Sequence, residues 1–427
     1  MLILCSIIIS ITLEKAVKIA LENNLSIISA KYSVSESELS YKGAWSNIFP
    51  KITVDSSYRR QLKIPEVEIQ GRKIKAGKAE QSQITLSAIE IIPLGGSAWY
   101  LKDAQKYAYD SQIFSFENLK NEIGFAVINS YISITQLLLA KKIAEENFER
   151  MQKHYETAKA LYDAGVIIEL YLLRIETALF ESEQQLKNIE IQLQNLLKNF
   201  SILLGSKDEN EIIPSETIDD LISSYKPEEF LENLKEKIKS EFVENTPDIL
   251  SLKYSVKQID NLSKAQRGAL FPQLSLGFSL LNSFGTFVEQ RNIPVLSIGA
   301  ILSIDFGGTY FSYLSLKQRK MALLTRLDEI KNTKRKDFEM LLKEYEVVKS
   351  KLYTSQKRFE SSERALKSAE ELFKVGKITS VDLLDYEIQF ENSKFDVISS
   401  KSELFLLMWK ALRILGEIEE FITKMNG

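Results

Sequence analysis

Two periodicities divide the chain. Phe338, Leu341, Tyr345, Val348, Leu352, Phe359, Leu366 and Phe373 recur at three- and four-residue spacing, a seam of period 3.5 that predicts coiled-coil packing. Val127, Ile134, Leu137, Phe148, Tyr155 and Tyr162 form its earlier counterpart. Two shorter seams follow, Leu172 to Leu203 and Leu383 to Ile414, each carrying a serine in register, Ser182 and Ser393. The pattern predicts helices from about Ser97 to Ala164 and from about Thr309 to Val375, each roughly 100 Å long at 1.5 Å per residue. Each turns at a glycine, Gly165 or Gly376, into a returning helix, Leu170 to Leu204 or Val381 to Leu415. An amphipathic helix on a globular core is the alternative, and such length disfavours it.

The second periodicity is two. Leu274, Leu276, Phe278 and Leu280 alternate with Gln273, Ser275, Gly277 and Ser279, and Leu296 to Phe306 alternates in the same way. Earlier, Ile52, Val54, Tyr58 and Leu62 alternate with Thr53, Asp55, Ser57 and Arg59, and Ile84, Leu86 and Ala88 with Thr85 and Ser87. Each stretch is about ten residues, the length of a tilted membrane-barrel strand. Half-buried hairpins of a water-soluble domain alternate too. Four strands cannot close around a pore, so a barrel built from them is shared between chains, and three copies give twelve strands.

The chain is internally duplicated. Lys31-Tyr32-Ser33-Val34 recurs as Lys253-Tyr254-Ser255-Val256, Phe49-Pro50 as Phe271-Pro272, and Leu94-Gly95-Gly96 as Phe306-Gly307-Gly308. Ala164-Gly165 matches Val375-Gly376, and Leu204-Gly205 matches Leu415-Gly416. Two copies of about two hundred residues exclude a short-period solenoid. The expected divisions are a partial export signal at 1–11, a first repeat at 12–205, a linker region at 206–244, a second repeat at 245–416 and a tail at 417–427.

Composition narrows the function. Gly (17) and Pro (8) are scarce, which fits long elements with few corners. Lys+Arg 55 against Asp+Glu 58 gives −3, so no basic field holds nucleic acid. With Cys5 and His154 the only residues of their kinds, the chain supplies no Cys/His metal cage, no Cys/His dyad and no intrachain disulfide. No metal, cofactor or catalytic constellation is expected. Leu2 to Ile11 is apolar but lacks a basic residue ahead of it and a clear cleavage site, and reads as an incomplete export signal or a buried N-terminal segment. Leu4 before Cys5 argues against lipidation. The apolar stretch Gly124 to Ala140 is interrupted by Asn129, Ser130, Ser133, Thr135 and Gln136, and reads as a partly buried helix rather than a membrane span.

Taken together, Ile11-Thr12-Leu13-Glu14-Lys15-Ala16-Val17, the following Ala20-Leu21-Glu22-Asn23-Asn24, both Phe-Pro junctions and the stretch from Val375 to Asp385 resemble the TolC-type outer-membrane efflux and secretion channels. The resemblance covers nearly the whole chain. It implies a mostly α protein with a membrane β-barrel portion: a long antiparallel coiled-coil α-helical barrel plus four β-strands per chain, closed as a homotrimer with a twelve-stranded barrel. Residues 206–244 and the C-terminal tail would form an equatorial region. The implied role is a passive duct without enzymatic activity. Its implied partners are outer-membrane lipid, a periplasmic adaptor and an inner-membrane pump, either a proton-driven transporter of the RND class or an ABC system. The alternative is a secreted or periplasmic coiled-coil structural protein.

The same resemblance supplies site expectations. Asp382 and Asp385 match the acidic rings of the periplasmic constriction; their i, i+3 spacing puts both on one helix face, and like-charge repulsion would raise the pKa of some of them. Thr379-x-x-Asp382 also reads as a helix-capping box. The polar positions that latch the family's closed tip fall on Phe373, Ile378 and Tyr171, so closure by apolar packing is expected. Gly165, Val166, Gly376, Lys377 and Thr379 are expected at the adaptor-docking tip. His154, among Glu149, Arg150, Lys153 and Glu156, reads as a solvated surface residue. The loop Pro65 to Gln81, with Arg72, Lys73, Lys75 and Lys78, fits an extracellular loop, either touching anionic lipopolysaccharide or simply solvated.

Overall fold

The computed structural model describes residues 9–206, 212–237, 242–285, 290–375 and 377–425. The order is β1 (Ile9–Ile11), α1 (Leu13–Asn23), α2 (Leu25–Ala44), β2 (Lys51–Arg60), β3 (Glu66–Ile69), β4 (Arg72–Lys75), β5 (Glu80–Pro93), α3 (Ser97–Asp163) and α4 (Glu169–Leu203). Then come β6 (Ile212–Pro214), α5 (Ile218–Tyr225), α6 (Pro227–Lys237), α7 (Pro247–Gly268), β7 (Gln273–Phe284), β8 (Gln290–Ile301), α8 (Gly308–Lys374), α9 (Ser380–Leu415) and α10 (Ile418–Met425).

The helices start and stop where the local chemistry dictates. Thr379 and Asp382 form the reciprocal capping box expected of α9, and Gly416 ends that helix in the left-handed region, φ +79°. The turns after α3 and α8 repeat one hydrogen bond, Val166 N to the Leu161 carbonyl and Lys377 N to the Leu372 carbonyl, both at 2.9 Å. Along α8 the seam buries Phe338, Leu341, Tyr345, Val348 and Leu352. Toward the C-terminal end the buried positions become small, Ser355, Ser362 and Ala369, each seven residues on, and the Ser362 hydroxyl hydrogen-bonds that of Ser393 on α9. Small seam residues let the two backbones approach, while Phe359 stacks on Phe390 with ring centroids 5.5 Å apart.

The residues fall into two compact units, one of residues 1–30, 116–247 and 331–427, the other of residues 31–115 and 248–330. Neither is one copy of the repeat; each takes corresponding stretches from both. In the first unit the core gathers Val127, Ile128, Tyr131, Ile132 and Ile134 of α3 with Leu13, Ala16, Val17 and Ala20 of α1, Phe200 and Leu204, and Phe405, Met408 and Trp409 of α9. The apolar stretch of α3 is long and apolar enough to cross a membrane by composition. Its burial among these helices accounts for that composition instead. Residues 9–11 of the presumed signal segment belong to this unit: β1 pairs in parallel with β6, and Ile11 is buried. The Glu216 carboxylate fastens them, accepting from Leu13 N at 2.7 Å and the Tyr131 hydroxyl at 3.0 Å. From the linker and tail regions, α5, α6 and α10 pack on α9.

In the second unit, β2, β5, β7 and β8 form one antiparallel sheet in the order β2-β5-β7-β8. The α helices adjoin one end of its strands, α2 leading into β2, β5 into α3, α7 into β7 and β8 into α8. Glycine at two corners has a steric cause: a Cβ at Gly95 would lie 2.1 Å from the Gly268 carbonyl oxygen, and one at Gly268 2.5 Å from that of Gly95. Two expectations change. Strand β8 spans Gln290–Ile301, so Leu302, Ile304 and Phe306 continue the alternation outside any strand; β7 starts at Gln273, already opposite Ile301, after Pro272. The basic loop Pro65 to Gln81 contains a hairpin, β3 with β4, turned at Gln70 and Gly71, both with positive φ.

Candidate functional site

The sheet's two faces differ in chemistry. The register aligns Ile52, Ala88, Phe278 and Leu296 across the four strands, and beside them Val54, Leu86, Leu280 and Pro294. The opposite face is mixed: it aligns Thr53, Ser87, Ser279 and Val295, and then Asp55, Thr85, Leu281 and Ile293. Large apolar side chains are the exposed ones, with Ile52 at 71%, Ile298 at 72% and Leu296 at 79%, whereas the small polar Ser87 and Ser283 are buried. A water-soluble sheet shows the reverse. In the described chain β2 and β8 each have one ladder partner, so both long outer strands present an open edge.

The two helix turns lie in the other unit. Gly165, φ +73°, sits in the α3–α4 turn with open space where a Cβ would stand, and Val166 beside it is exposed. Ile168, Leu170 and Leu173 carry on this exposed apolar strip into α4, and Val375 and Phe373 do so at the α8–α9 turn. Several large apolar side chains exposed within one turn mark a contact surface. Lys377 and Thr379 are exposed, Ile378 and Tyr171 half-buried. Gly376 lies outside the described residues.

Asp382 and Asp385 occupy the first turns of α9, both exposed. The Asp382 carboxylate accepts from the Thr379 hydroxyl at 2.7 Å and the Thr379 backbone N at 2.9 Å. These bonds, the hydroxyl's first, hold its pKa below the usual carboxylate value, and the positive charge of Arg174 on α4 adds in the same direction. Within one chain local hydrogen bonds to the ionised form set the direction.

A cluster that sequence reasoning missed joins α3 to α9. Arg150 Nε lies 3.8 Å from Glu387 Oε2 and its Nη2 3.4 Å from Glu391 Oε1, while His154 Nε2 lies 3.4 Å from Glu387 Oε2. The four side chains are 12–29% exposed, so His154 is a half-buried partner of a carboxylate and not a solvated residue. Arg150 Nε and Nη2 and Glu391 Oε2 are buried without a hydrogen bond, so the cluster is held by charge at slightly long range. Its sequence signal was two i, i+4 pairs, Arg150 with His154 and Glu387 with Glu391, too far apart in the chain to connect by spacing. Beside it, a groove of about 420 Å³ runs between α3, α4 and α9, bordered by Asn147, Met151, Glu181, Gln185, Ile388 and Glu391. Among the described residues no group of three or more His, Cys, Asp or Glu is arranged to hold a metal ion.

Residues 16–206 match the outer membrane efflux protein family. The chain is 22% identical over 266 residues to the pyoverdine export outer membrane protein OpmQ of Pseudomonas aeruginosa, a match covering 61% of this chain and 54% of OpmQ. It thus spans about half the length of that relative. It is 18% identical over 319 residues to the outer membrane efflux protein BepC of Brucella suis biovar 1, covering 73% of this chain and 68% of BepC. The fold is similar to that of the Campylobacter jejuni CmeC outer membrane channel, with a TM-score of 0.81 at 17% identity, over 97% of this chain and 89% of that one.

Proposed function

We propose that this chain, matched over residues 16–206 by the outer membrane efflux protein family and similar in fold to its channels, lies in the outer membrane with a periplasmic part and is a passive exit duct. Three chains contribute four strands each to a twelve-stranded barrel, the open edges of β2 and β8 pairing between chains, and the duplicated helix pairs continue it as a periplasmic tunnel. The observation that carries this reading is the sheet with one exposed, almost wholly apolar face, a second face where small polar residues are mixed in, and two open edges. An open-edged apolar sheet is an aggregation hazard in water but is satisfied on closure in lipid. The same observation argues against a water-soluble coiled-coil protein.

The duct works without a reaction. The exposed apolar turns, with Gly165, Val166, Lys377 and Thr379, form the end that docks a periplasmic adaptor, which links the duct to an inner-membrane RND or ABC transporter. Gly376, outside the described residues, is assigned to the same end from sequence. Next to it Asp382 and Asp385 line the constriction as two threefold rings a turn apart, where they concentrate negative potential for cations. Thr379 serves this gate by fixing the Asp382 carboxylate through two hydrogen bonds, so capping and gating are one arrangement. Phe373, Ile378 and Tyr171 pack the tip shut. Planar-bilayer recording of the purified full chain tests the reading: discrete, cation-selective channels support it, and a protein that enters bilayers without conducting contradicts it.

A further inference from the structure

We propose that the β3–β4 hairpin is a contact surface for phosphorylated lipid in the outer leaflet. The inference rests on the duct reading, which sets which end of the sheet faces outward. The helices adjoin one end of the strands; the hairpin leaves the other, between Arg60 of β2 and Glu80 of β5, which face each other in the register.

Charge is concentrated at that end. Residues 59–80 contain seven basic and three acidic side chains, in a chain whose total is −3. The hairpin register sorts them. Glu66 stands opposite Lys75 and Glu68 opposite Lys73, so one face of the hairpin is self-neutralised. The other face carries Val67 opposite Ile74, with Arg72 two residues from Ile74 on the same strand. Val67 and Ile74 are 48% and 43% exposed. Arg59, opposite Gln81, lies on the face of Thr53 and Asp55, away from the apolar one, so Arg72 is the guanidinium that the register leaves beside the apolar pair.

This hairpin is a two-stranded sheet of its own, separate from the four-stranded one. Isolated two-stranded hairpins are marginal in water. An apolar pair flanked by an unneutralised guanidinium group is complementary to a lipid surface bearing phosphates: the pair lies against apolar groups, and the planar, bidentate guanidinium of Arg72 meets phosphate oxygens. Basic residues at an anionic membrane surface contribute about fivefold in affinity each.

The test places a polarity-sensitive fluorophore on Ile74→Cys in the full chain, with Cys5→Ser, in nanodiscs of phosphatidylethanolamine with increasing bisphosphorylated lipid A. The expected result is a blue shift of the probe that saturates with lipid A. Arg72→Glu raises the half-saturating fraction about fivefold or more, Arg59→Glu leaves it within about twofold, and 0.5 M salt weakens it. A probe that stays aqueous, a shift produced equally by dephosphorylated lipid A, or one reproduced by inorganic phosphate overturns the proposal. Bilayer conductance separates the two readings. Conducting particles with an aqueous probe refute the hairpin contact alone, whereas a chain that never inserts refutes the duct and this inference with it.

Discussion

Replacing Arg150 by Met tests whether the ionic cluster ties α3 to α9. The wild-type cluster has one certain cation facing two carboxylates at 3.4 and 3.8 Å, and at an effective dielectric of 20 each contact is worth about 5 kcal/mol before desolvation is subtracted. Most of that is offset, because the Glu391 and Glu387 side chains are only 12% and 16% exposed and have lost much of their hydration. What Arg150→Met removes is the compensation. Two half-buried carboxylates one turn apart on α9 then face each other with His154 as the remaining partner, at a net cost of about 2 kcal/mol, lower than for a fully buried pair. That corresponds to about a thirtyfold increase in local opening. Hydrogen exchange followed by mass spectrometry reads it directly, as faster exchange in residues 145–158 and 382–395 with little change in β5 and β7. Arg358→Met is the internal control: the Arg358–Asp396 contact, 2.8 Å but 59% and 44% exposed, should change exchange less than threefold. Equal, small effects of both variants would refute the claim that burial, not contact distance, gives the Arg150 cluster its strength.

Other consequences are as direct. Asp382→Asn with Asp385→Asn should lower cation selectivity in bilayer recording; unchanged selectivity removes both residues from the constriction. Phe373→Ala should raise the resting conductance if Phe373, Ile378 and Tyr171 close the tip, and an unaltered resting current argues for another closure. Burial first, and then the negative charge of Glu216, hold the Tyr131 and Tyr225 hydroxyls well above the usual tyrosine pKa. The folded state therefore keeps protons that the unfolded chain releases near pH 10, and stability, level below that point, should fall as pH rises past it. Tyr131→Phe with Tyr225→Phe should flatten this alkaline limb of the melting temperature. Gly416→Ala should destabilise by at least about 1 kcal/mol, because Gly416 has φ +79° and a Cβ there would lie 2.4 Å from Pro247 Cδ; an unchanged melting temperature would show that the turn relaxes freely.

The long elements were legible because their signals are long. Seams sustained over several heptads and glycines at every corner predict α3, α4, α8 and α9 to within one or two residues. Strand limits were less legible, since alternation reports which face is apolar, whereas a strand ends where its partner does. Thus Leu302 to Phe306 alternate without pairing, and β5 begins at Glu80, where Gln81 and Gln83 show no contrast between faces. The capping box at Thr379 and Asp382 was readable from four adjacent residues, but the direction of the Asp382 pKa was not, because it depends on two hydrogen bonds and on Arg174 from another helix. The Arg150 cluster and the pairing of β1 with β6 eluded sequence reasoning for the same reason: both join segments about two hundred residues apart, and neither half is distinctive alone.

The central claim is a barrel shared between chains, and the particle mass tests it most directly. The full chain, exported with a competent signal peptide and extracted from the outer-membrane fraction in mild detergent, should give a β-containing particle whose protein mass equals three chains of 48.8 kDa. A monomer or dimer that stays in the water-soluble fraction would contradict the shared barrel and, with it, the duct.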